Sequence, residues 1–397
     1  MINDEFDRID GVNTYISSLE KSLSKKGIEV FHLSLSSKRS FKTDHTKVIR
    51  YSFRKSKLRW FISENIFDFS LYKKLRKYIL DINPDMIHLH NIYKSTKTIL
   101  FACRGYKKVQ TIHNSGIVCP LGTLFIERDN SICSGKKNLR CYLNGCLKLQ
   151  SNLLDHMIFD NTFLKRLPID VFICPSNYLL DICKKVGNKR SILLPHFTVK
   201  DNGTIHHLAD STKNISPGYF LFVGRIENVK GVFHLLDAFE IALKENNDLR
   251  LVLVGVGSVL KDLKKRVHNK KLDDSIMFIG EVKYDLISKY YVDSSAVVIP
   301  SIWNEGFGLV ALEAMNHSKP IIAFESGALP EIIVDGKTGF IVKRGDIQGL
   351  AEKILFLSKN GSLALKLGLK GRKLLEKRYD QKMYIDKLIA TYRSCLD

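Results

Sequence analysis

Short apolar runs alternate with amphipathic stretches along almost the whole chain, and this alternation restricts the fold more than any other feature. Such an order is typical of parallel β-sheets whose strands are joined by helices. In the first half, after a helix predicted over 14–26, the strand-like runs are 28–33, 86–90, 109–113, 171–174 and 192–194. In the second half, with helices between them, they are 219–223, 249–254, 275–279, 296–299, 320–323 and 339–342. The sequence therefore predicts an α/β protein.

A polar stretch, residues 200–217, divides these two halves and contains Gly, Asn, Ser, Thr and Pro. We interpret it as an interdomain linker. The predicted architecture is two Rossmann-like doubly wound domains, residues 1–199 and 218–376, facing across a cleft at the carboxyl ends of their strands. The last segment, residues 377–397, is predicted to be a helix that packs back onto the first domain.

The composition is that of a globular protein, because 45% of the 397 residues are hydrophobic and aromatic residues are spread along the chain. No apolar run approaches the length needed to cross a bilayer. Residues 1–10 are acidic and lack the apolar core of a secretion signal. We therefore expect a cytoplasmic protein.

The chain is strongly basic, because 62 Lys and Arg residues against 41 Asp and Glu residues give a net charge of +21. This excess indicates a polyanionic partner, unless it only reflects lysines on solvated faces. Residues 47–80 interleave basic and aromatic side chains. That pattern suits an anionic membrane surface, single-stranded nucleic acid, or an ordinary solvated helix face above core aromatics.

Four of the eight cysteines, Cys119, Cys133, Cys141 and Cys146, form a cluster along the sequence. Their spacing fits no common zinc pattern, and disulfides are unusual in cytoplasmic proteins. We predict reduced and locally packed thiols, with a structural metal site as the alternative.

Two glutamates, Glu305 and Glu313, lie on either side of a glycine turn. Residues 296–299 have the character of a buried strand, and the apolar spacing over 309–315 predicts a helix that begins near Gly308. A strand, a glycine turn and a helix start together present backbone N–H groups and a positive helix end, which favour phosphate. Both carboxylates can accept hydrogen bonds from hydroxyls of a ligand whose phosphates rest on the turn. The pattern predicts a nucleotide-sugar site.

The loop after the first strand of the second half carries two cations, Arg225 and Lys230. In a doubly wound sheet this loop lies at the edge that binds ligands. A guanidinium and an ammonium there can neutralise a leaving diphosphate. No Asp-x-Asp pair occurs in the sequence, so the usual carboxylates for a sugar-nucleotide metal are missing. We expect a metal-independent reaction without a cofactor.

With these elements together, the chain resembles the retaining group 1 glycosyltransferases of family 4, which have the two-domain GT-B fold. The resemblance covers nearly the whole length and is strongest over 219–342, including the segments 326–333 and 335–340. It implies an enzyme that uses a nucleoside-diphosphate sugar as co-substrate. The resemblance also implies that the anomeric configuration is retained by a front-face displacement, in which the leaving phosphate helps to deprotonate the acceptor.

The resemblance also implies a role for individual residues of the second half. Glu305 would bind hydroxyls of the donor sugar, Glu313 would bind the ribose, and two cations would hold the diphosphate. Backbone N–H groups of the turn would assist, and residues 280–282 would line the base pocket through their main chain. The implied donor-binding residues of this half are Arg225, Lys230, Gly280, Val282, Glu305, Gly306, Phe307, Gly308, Leu309 and Glu313.

The first half matches the family more loosely. His113 ends a strand where the family commonly has a histidine facing the transferred sugar, so we predict a catalytic role, with a packing role as the alternative. His88 and His90 alternate on another strand, and we expect at least one of them to be a packing residue. The complete set of predicted catalytic residues is His113, Glu305, Arg225 and Lys230.

The start of the chain departs from the family pattern. Gly11 matches the glycine loop near the donor phosphate, but Asp10 takes the place of a second glycine. The family opens with an apolar first strand, whereas this chain has only Met1-Ile2 ahead of a polar loop. Either this strand is missing from the start of the sequence or the sheet lacks its central member. Because the loss of a central parallel strand would be costly for the core, we expect a truncated start.

We therefore predict a metal-independent, retaining glycosyltransferase that moves a hexose-type sugar to a hydroxyl of a lipid-linked glycan in bacterial surface polysaccharide synthesis. Its expected partners are the nucleotide-sugar donor, the glycan acceptor and an anionic membrane surface contacted by residues 47–80, at the inner face of the plasma membrane. No nucleic acid partner is expected. The alternatives are a nucleotide-sugar 2-epimerase with the same fold and a non-enzymatic nucleic-acid-binding or scaffold protein.

Overall fold

The computed structural model describes residues 1–3, 11–36, 46–50, 67–92, 96–119, 121–135, 140–146, 168–185, 187, 190–198, 218–283 and 286–397. The chain divides into two compact units, which are residues 1–195 with 382–397, and residues 196–381. The linker predicted at 200–217 lies outside the described residues. No helix among the described residues is both long and apolar enough to cross a membrane.

The first unit is built on a parallel sheet. The strands of this sheet are β1 Ile2–Asn3, β2 His32–Ser36, β3 Thr46–Arg50, β4 Met86–Leu89, β5 Lys107–Thr111, β8 Val171–Cys174 and β9 Ser191–Leu193. Two further strands, β6 Phe125–Ile126 and β7 Ser131–Ile132, form a separate antiparallel pair. Within the described residues the sheet has the order β3-β2-β1-β4-β5-β8-β9, and every neighbouring pair is parallel.

Helices cover this sheet because their apolar residues recur at helical spacing. They are α1 Gly11–Ser24, α2 Phe69–Ile82, α3 Thr96–Ala102, α4 Arg140–Leu143, α5 Asn177–Lys185 and, from the end of the chain, α13 Gln381–Leu396. In α2 the residues Leu71, Leu75 and Ile79 are buried in the core. The side chain of Asp68 caps the start of this helix, and Asn83 ends it in the left-handed conformation.

The first strand of this sheet is present, although it is only two residues long. Ile2 pairs with Leu33 of β2 and with Leu89 of β4, and it is buried. The expectation that the sheet lacks its central member is therefore wrong. The next strand begins at His32, later than the predicted 28–33, because Gly27 (φ 78°) and the bond from Ile28 N to Leu23 O belong to the end of α1.

The second unit is a parallel sheet between two layers of helices. Its strands are β10 Tyr219–Val223, β11 Leu251–Val254, β12 Ile276–Gly280, β13 Ser294–Ile299, β14 Ile321–Phe324 and β15 Gly339–Val342. Its helices are α6 Val232–Glu245, α7 Leu260–Asn269, α8 Ser288–Asp293, α9 Leu309–Asn316, α10 Leu329–Ile332, α11 Ile347–Lys359 and α12 Gly361–Arg378. The strand order is β12-β11-β10-β13-β14-β15.

This order places a topological switch point between β10 and β13. From β10 the sheet continues through β11 to β12 at one edge, and from β13 it continues through β14 to β15 at the other edge. Doubly wound sheets bind ligands at the carboxyl ends of the strands at such a point. Both units are parallel α/β sheets, which confirms the predicted α/β class.

Candidate active site

The loops that follow β10 and β13 are bonded to each other at the switch point. A short 3-10 helix, Asn228–Lys230, follows β10. The backbone N–H groups of Ile302 and Trp303 both donate to the carbonyl of Val229, at 3.0 and 3.3 Å. These two bonds hold the segment that carries Lys230 against the segment that leads to Glu305.

Gly231 makes this close approach possible. It adopts φ 69°, and a Cβ atom built on it lies 1.8 Å from the carbonyl oxygen of Pro300. No other residue type fits there without moving the backbone of one loop. The glycine therefore fixes the position of the neighbouring Lys230.

Lys230 and Glu305 form a largely buried ion pair. The Nζ of Lys230 lies 2.7 Å from Oε1 of Glu305, and the two side chains are 20% and 10% exposed. The same oxygen accepts hydrogen bonds from Ser301 Oγ at 2.5 Å and from Trp303 Nε1 at 3.0 Å. The ammonium also lies 4.8 Å from the centroid of the Trp303 ring.

These contacts determine the charge of Glu305. Burial opposes ionisation of the carboxyl, but the attraction of Lys230 and the hydrogen bonds from Lys230, Ser301 and Trp303 outweigh it, so the pKa of Glu305 lies below its usual value. The site thus holds a carboxylate anion beside an ammonium cation, both shielded from bulk water. Such a pair resists screening and keeps a fixed geometry.

The turn after Glu305 delivers the start of α9 to the same place. Gly308 adopts φ 101°, and a Cβ atom on it lies 2.6 Å from Cδ2 of Leu329. Gly327 packs equally closely, since its Cβ atom would lie 2.2 Å from the carbonyl oxygen of Glu305. The positive end of α9, which begins at Leu309, is thereby fixed next to the ion pair. A positive helix end and an ammonium are both groups that bind phosphate.

The side chain of Phe307 does not line the site. It is buried against the rings of His196 and Tyr379, with centroids 5.1 and 6.0 Å away. Gly306 is buried as well. A role of Phe307 in ligand binding is therefore restricted to its backbone, as the sequence predicts.

Glu313 lies half-buried in the second turn of α9. The hydroxyl of Tyr291, on α8, donates to its Oε2 at 2.6 Å. Burial raises the pKa of Glu313 to about 7, and the hydrogen bond from Tyr291 opposes this rise. The two glutamates of the turn therefore differ in charge behaviour, because Glu305 has a cation beside it and Glu313 has a phenol.

The structure separates the two cations that the sequence groups together. Arg225 is 55% exposed and pairs with Glu227, with Nη1 2.7 Å from Oε1. Lys230 pairs with Glu305 instead. The loop that carries Arg225 is fixed by the bond from Ile226 N to Val256 O, at 2.9 Å. Arg225 thus stands at the surface of the second unit, next to the switch point.

The predicted base-pocket residues follow the edge strand β12. Gly280 adopts φ 83°, and its carbonyl accepts from Gly255 N at 2.7 Å. Val282 is half-buried against the core of the second unit. Their role in base binding stays a prediction.

Sequence reasoning missed several partners of the site. Ser301 and Trp303 donate hydrogen bonds to Glu305. Both lie in the loop between the end of β13 and Glu305, and this position could have indicated them. Tyr291 gave no local signal, because it lies on another helix. Arg344 gave none either; its Nη2 lies 2.5 Å from Oδ1 of Asn304, the residue before Glu305.

In the first unit, His113 belongs to a cluster of buried rings. Its Nε2 lies 3.1 Å from Nδ1 of His90, and its ring packs edge-on against Tyr15 at 5.6 Å. Burial lowers the pKa of His113 to about 3, so this imidazole is neutral near pH 7. Gly11, the other predicted residue of this unit, is the exposed first residue of α1. Asp10 lies outside the described residues.

His88 has a packing role. Its two ring nitrogens contact Tyr392 Oη at 2.6 Å and Thr111 Oγ1 at 2.7 Å. Burial lowers the pKa of His88 well below its usual value. The side chain is thus engaged on both sides and carries no charge near pH 7.

All eight cysteines lie within the described residues, and none of them forms a disulfide bond. The sulfur of Cys119 accepts a hydrogen bond from Leu124 N at 3.4 Å, and that of Cys133 accepts one from Gly135 N at 3.5 Å. Among the residues that the structure describes, no group of three or more His, Cys, Asp or Glu side chains is arranged to hold a metal ion.

Part of the basic segment predicted at 47–80 forms α2, and residues 51–66 lie outside the described part of the chain. The exposed surface of α2 combines apolar and basic side chains. Phe69 and Leu80 are 60% and 53% exposed, and the Nζ of Lys73 lies 4.7 Å from the centroid of the Phe69 ring. Lys74 and Lys77 are exposed beside them.

Comparisons with known proteins bear on both units. The family model of glycosyl transferases group 1 matches residues 206–374, and that of Glycosyltransferase Family 4 matches residues 9–197. A poly(ribitol-phosphate) alpha-N-acetylglucosaminyltransferase of Staphylococcus aureus is 25% identical over 96% of this chain and 76% of its own length. An uncharacterized glycosyltransferase of Methanocaldococcus jannaschii is 32% identical over 52% of this chain. The matched region of this chain spans about half of the length of that relative (55%).

A solved structure shares the fold across both units. Anabaena HepE in complex with UDP and glucose has a TM-score of 0.74 and 16% sequence identity, covering 99% of this chain and 98% of that one. The two family models between them reach from residue 9 to residue 374. This chain therefore belongs to the group 1, family 4 glycosyltransferases, a family of sugar-transferring enzymes with the GT-B fold.

Proposed function

We propose that this protein is a retaining, metal-independent glycosyltransferase that moves a sugar from a nucleoside-diphosphate sugar to a hydroxyl of a surface glycan. One observation carries the proposal: the buried pair of Lys230 and Glu305 at the positive end of α9, at the switch point of the sheet. An ammonium, a fixed carboxylate and a helix start together recognise a group that is anionic on one side and hydroxylated on the other.

The hydrogen bonds to the Glu305 side chain converge on one of its two carboxylate oxygens. Three donors, from Lys230, Ser301 and Trp303, converge on Oε1. Among the described residues none of these recorded bonds uses Oε2, which is the oxygen that accepts from sugar hydroxyls in this proposal. The ammonium has three N–H donors, so it can hold Glu305 and a phosphate oxygen together.

Charge on the leaving diphosphate falls to protein cations. Lys230 and the N-terminal end of α9 meet the phosphate, and the exposed guanidinium of Arg225 adds a second cation. Preorganised positive groups of this kind stabilise charge that develops as the bond to the sugar breaks. They support a reaction without a divalent ion, together with the lack of an Asp-x-Asp pair in the sequence.

Retention is proposed on the family resemblance, and the name of the relative in S. aureus, which specifies an alpha linkage, supports it. In the proposed step, the bond from the anomeric carbon to the phosphate oxygen breaks, and the acceptor oxygen bonds to the same face of that carbon. The acceptor proton passes to the leaving phosphate. His113 acts on the sugar as a neutral imidazole, in accord with its lowered pKa of about 3.

The acceptor is proposed to be a lipid-linked or polymeric surface glycan. Support comes from the S. aureus relative, which is named for poly(ribitol-phosphate), and from the net charge of +21, which favours an anionic polymer or membrane. The exposed Phe69, Leu80 and lysines of α2 add a surface suited to anionic lipid.

The test is a thermal-shift screen of nucleotide sugars, followed by turnover of the stabilising donor with glycan acceptors. A bound donor raises the melting temperature by mass action. The expected product keeps the anomeric configuration of the donor by NMR, and EDTA leaves its formation unchanged. An inverted product or loss of activity in EDTA would contradict retention or metal independence respectively. Conversion of the donor without any acceptor would indicate an epimerase instead.

Salt-sensitive RNA binding without nucleotide-sugar binding would contradict the proposal as a whole. The Glu305→Ala variant, with the same donor, separates specific transfer from background hydrolysis. We expect it to lose transfer while its fold, measured by circular dichroism, is retained. Undiminished turnover by this variant would refute the assignment of the site.

A further inference from the structure

Glu313 has a partner that no sequence motif indicates. Tyr291 is fully buried on α8, and its hydroxyl donates to Oε2 of Glu313 at 2.6 Å. Among the described residues, Tyr291 is the side chain that donates a hydrogen bond to the Glu313 carboxylate. A buried phenol has few other positions available, because its ring is confined by packing on all sides. The carboxylate is therefore held from one fixed direction.

Three basic side chains, Lys319, His317 and Arg372, belong to the elements around this pair. Lys319 donates to the carbonyls of Val292 and Ser294, both at 2.7 Å. On α12, Arg372 donates to Asn316 and to Glu376. His317 stacks on the Tyr291 ring with centroids 5.3 Å apart and planes 9° apart. The stacking on His317 thus holds the ring of Tyr291, whose hydroxyl donates to Glu313.

We propose that Tyr291 is a positioning residue for nucleoside recognition, which orients the Glu313 carboxylate so that it accepts hydrogen bonds from the ribose hydroxyls. The inference rests on the proposed function, in which Glu313 binds the ribose of the donor. The phenol occupies Oε2 and leaves Oε1 for the ligand. Tyr291 thereby determines discrimination between ribonucleotides and deoxyribonucleotides without touching the nucleotide.

This role has a pH signature. Burial raises the pKa of Glu313 to about 7, and the Tyr291 hydrogen bond opposes that rise. Removing the hydroxyl raises the pKa further, so more of the carboxyl is protonated near pH 7. A protonated carboxyl is a poorer acceptor than a carboxylate. The loss of ribose recognition is therefore largest near neutral pH and smaller at higher pH, where the carboxyl ionises in both proteins.

The experiment compares Tyr291→Phe with the unmodified protein by calorimetry. The probes are UDP, GDP, CDP and ADP, followed by the 2′-deoxy and 3′-deoxy analogues of the one that binds best. We expect Tyr291→Phe to weaken ribonucleotide binding about tenfold near pH 7, the size of one hydrogen bond to a charged group. The loss shrinks at about pH 8.5, and binding of the deoxy analogues changes little.

Tyr290→Phe is the matched control, because Tyr290 is a buried neighbour on the same helix and its hydroxyl is not bonded to Glu313. We expect this control to bind ribonucleotides as the unmodified protein does. An equal loss of ribo and deoxy ligands in Tyr291→Phe, at every pH, would show a structural role only and overturn the inference. If the unmodified protein bound none of the nucleotides, the proposed function itself would be wrong.

Discussion

The Cα atom of Gly231 lies so close to the carbonyl oxygen of Pro300 that no side chain fits between them. The Cβ atom of an alanine at 231 would lie 1.8 Å from that oxygen. We expect Gly231→Ala to displace Lys230 from Glu305 and to weaken nucleotide binding by at least about tenfold. Calorimetry with UDP or another bound nucleotide measures this loss.

Gly336→Ala is the control for this substitution. Gly336 adopts φ 66°, close to the 69° of Gly231, but its Cβ atom would meet nothing within 4 Å. Both variants share the cost of a left-handed alanine, about 1–2 kcal/mol. Only Gly231→Ala adds the steric conflict, so it should lose more stability in urea unfolding. Equal losses in the two variants would contradict the steric argument.

Replacing Glu305 by glutamine tests the ion pair without changing its shape. The variant leaves the Lys230 ammonium in a mostly buried place without an anion, which we expect to cost about 3 kcal/mol of unfolding free energy. Transfer activity should fall to background. The exposed Glu352 offers a control, since Glu352→Gln removes a carboxylate that makes no such pair. Urea unfolding and transfer assays on both variants measure the difference.

Glu313 predicts a pH dependence of stability. Its pKa in the folded protein is about 7, against a usual value of 4.5, so the folded state binds its proton more tightly than the unfolded state. Stability from this group is present below the unfolded pKa and is lost as pH rises from 4.5 to about 7. Glu313→Gln should therefore gain stability relative to the unmodified protein across that range, and the gain should be constant above it.

The measurement is urea unfolding of the two proteins at several pH values from about 4.5 to about 8.5. Because other carboxyls also titrate there, the informative quantity is the difference between Glu313→Gln and Glu352→Gln. A difference that does not change with pH would show that the Glu313 carboxyl keeps an ordinary pKa.

The first unit should be more sensitive to acid than the second. Burial lowers the pKa values of His88, His90 and His113, that of His113 to about 3, against a usual value of 6.5. Protons therefore bind the unfolded state preferentially, and stability is lost as pH falls below 6.5. Hydrogen exchange, corrected for intrinsic rates, should show faster opening of the first unit than of the second at about pH 5.5.

His268→Gln provides the comparison, because the His268 side chain is 81% exposed. We expect it to leave the acid sensitivity unchanged, whereas His88→Gln should reduce it. Parallel opening of both units in acid would contradict a role for the buried histidines.

The exposed surface of α2 predicts binding to anionic vesicles. Reversing the charge of Lys73 and Lys77 removes two exposed cations of α2, each worth about 1 kcal/mol near such a surface. We expect the double variant Lys73→Glu, Lys77→Glu to lose at least about tenfold in co-sedimentation with phosphatidylserine vesicles. Lys366→Glu with Lys370→Glu, on the exposed side of α12, is the matched control. A similar loss in the control would assign binding to net charge alone.

Much of the fold was predictable from the sequence because buried parallel strands are apolar runs. The run at 339–342 matches β15, and that at 171–174 matches β8, residue for residue. The strand Ile2–Asn3 was missed because two residues carry no periodicity. Its place depends on pairing with β2 and β4, which are distant in sequence.

The candidate site was predictable where its residues lie on one local motif. Glu305, Gly308 and Glu313 follow each other around a turn, so their proximity needs no tertiary information. The partner of each carboxylate was not visible in that way. Lys230 reaches Glu305 through loops that bond at Val229, and Tyr291 reaches Glu313 from another helix. Such contacts are fixed by packing rather than by spacing.

Because α13 belongs to the first unit, the two units become complete at different times during synthesis of the chain. The α13 residues Tyr384 and Tyr392 contact Tyr15 and His88, so the first unit is completed by residues near the end of the chain. The second unit, residues 196–381, has its whole sequence available earlier. Because chains emerge from the ribosome N-terminus first, the unit that begins the chain is the last to close. Until then, the His88 side chain lacks its hydrogen bond with the hydroxyl of Tyr392.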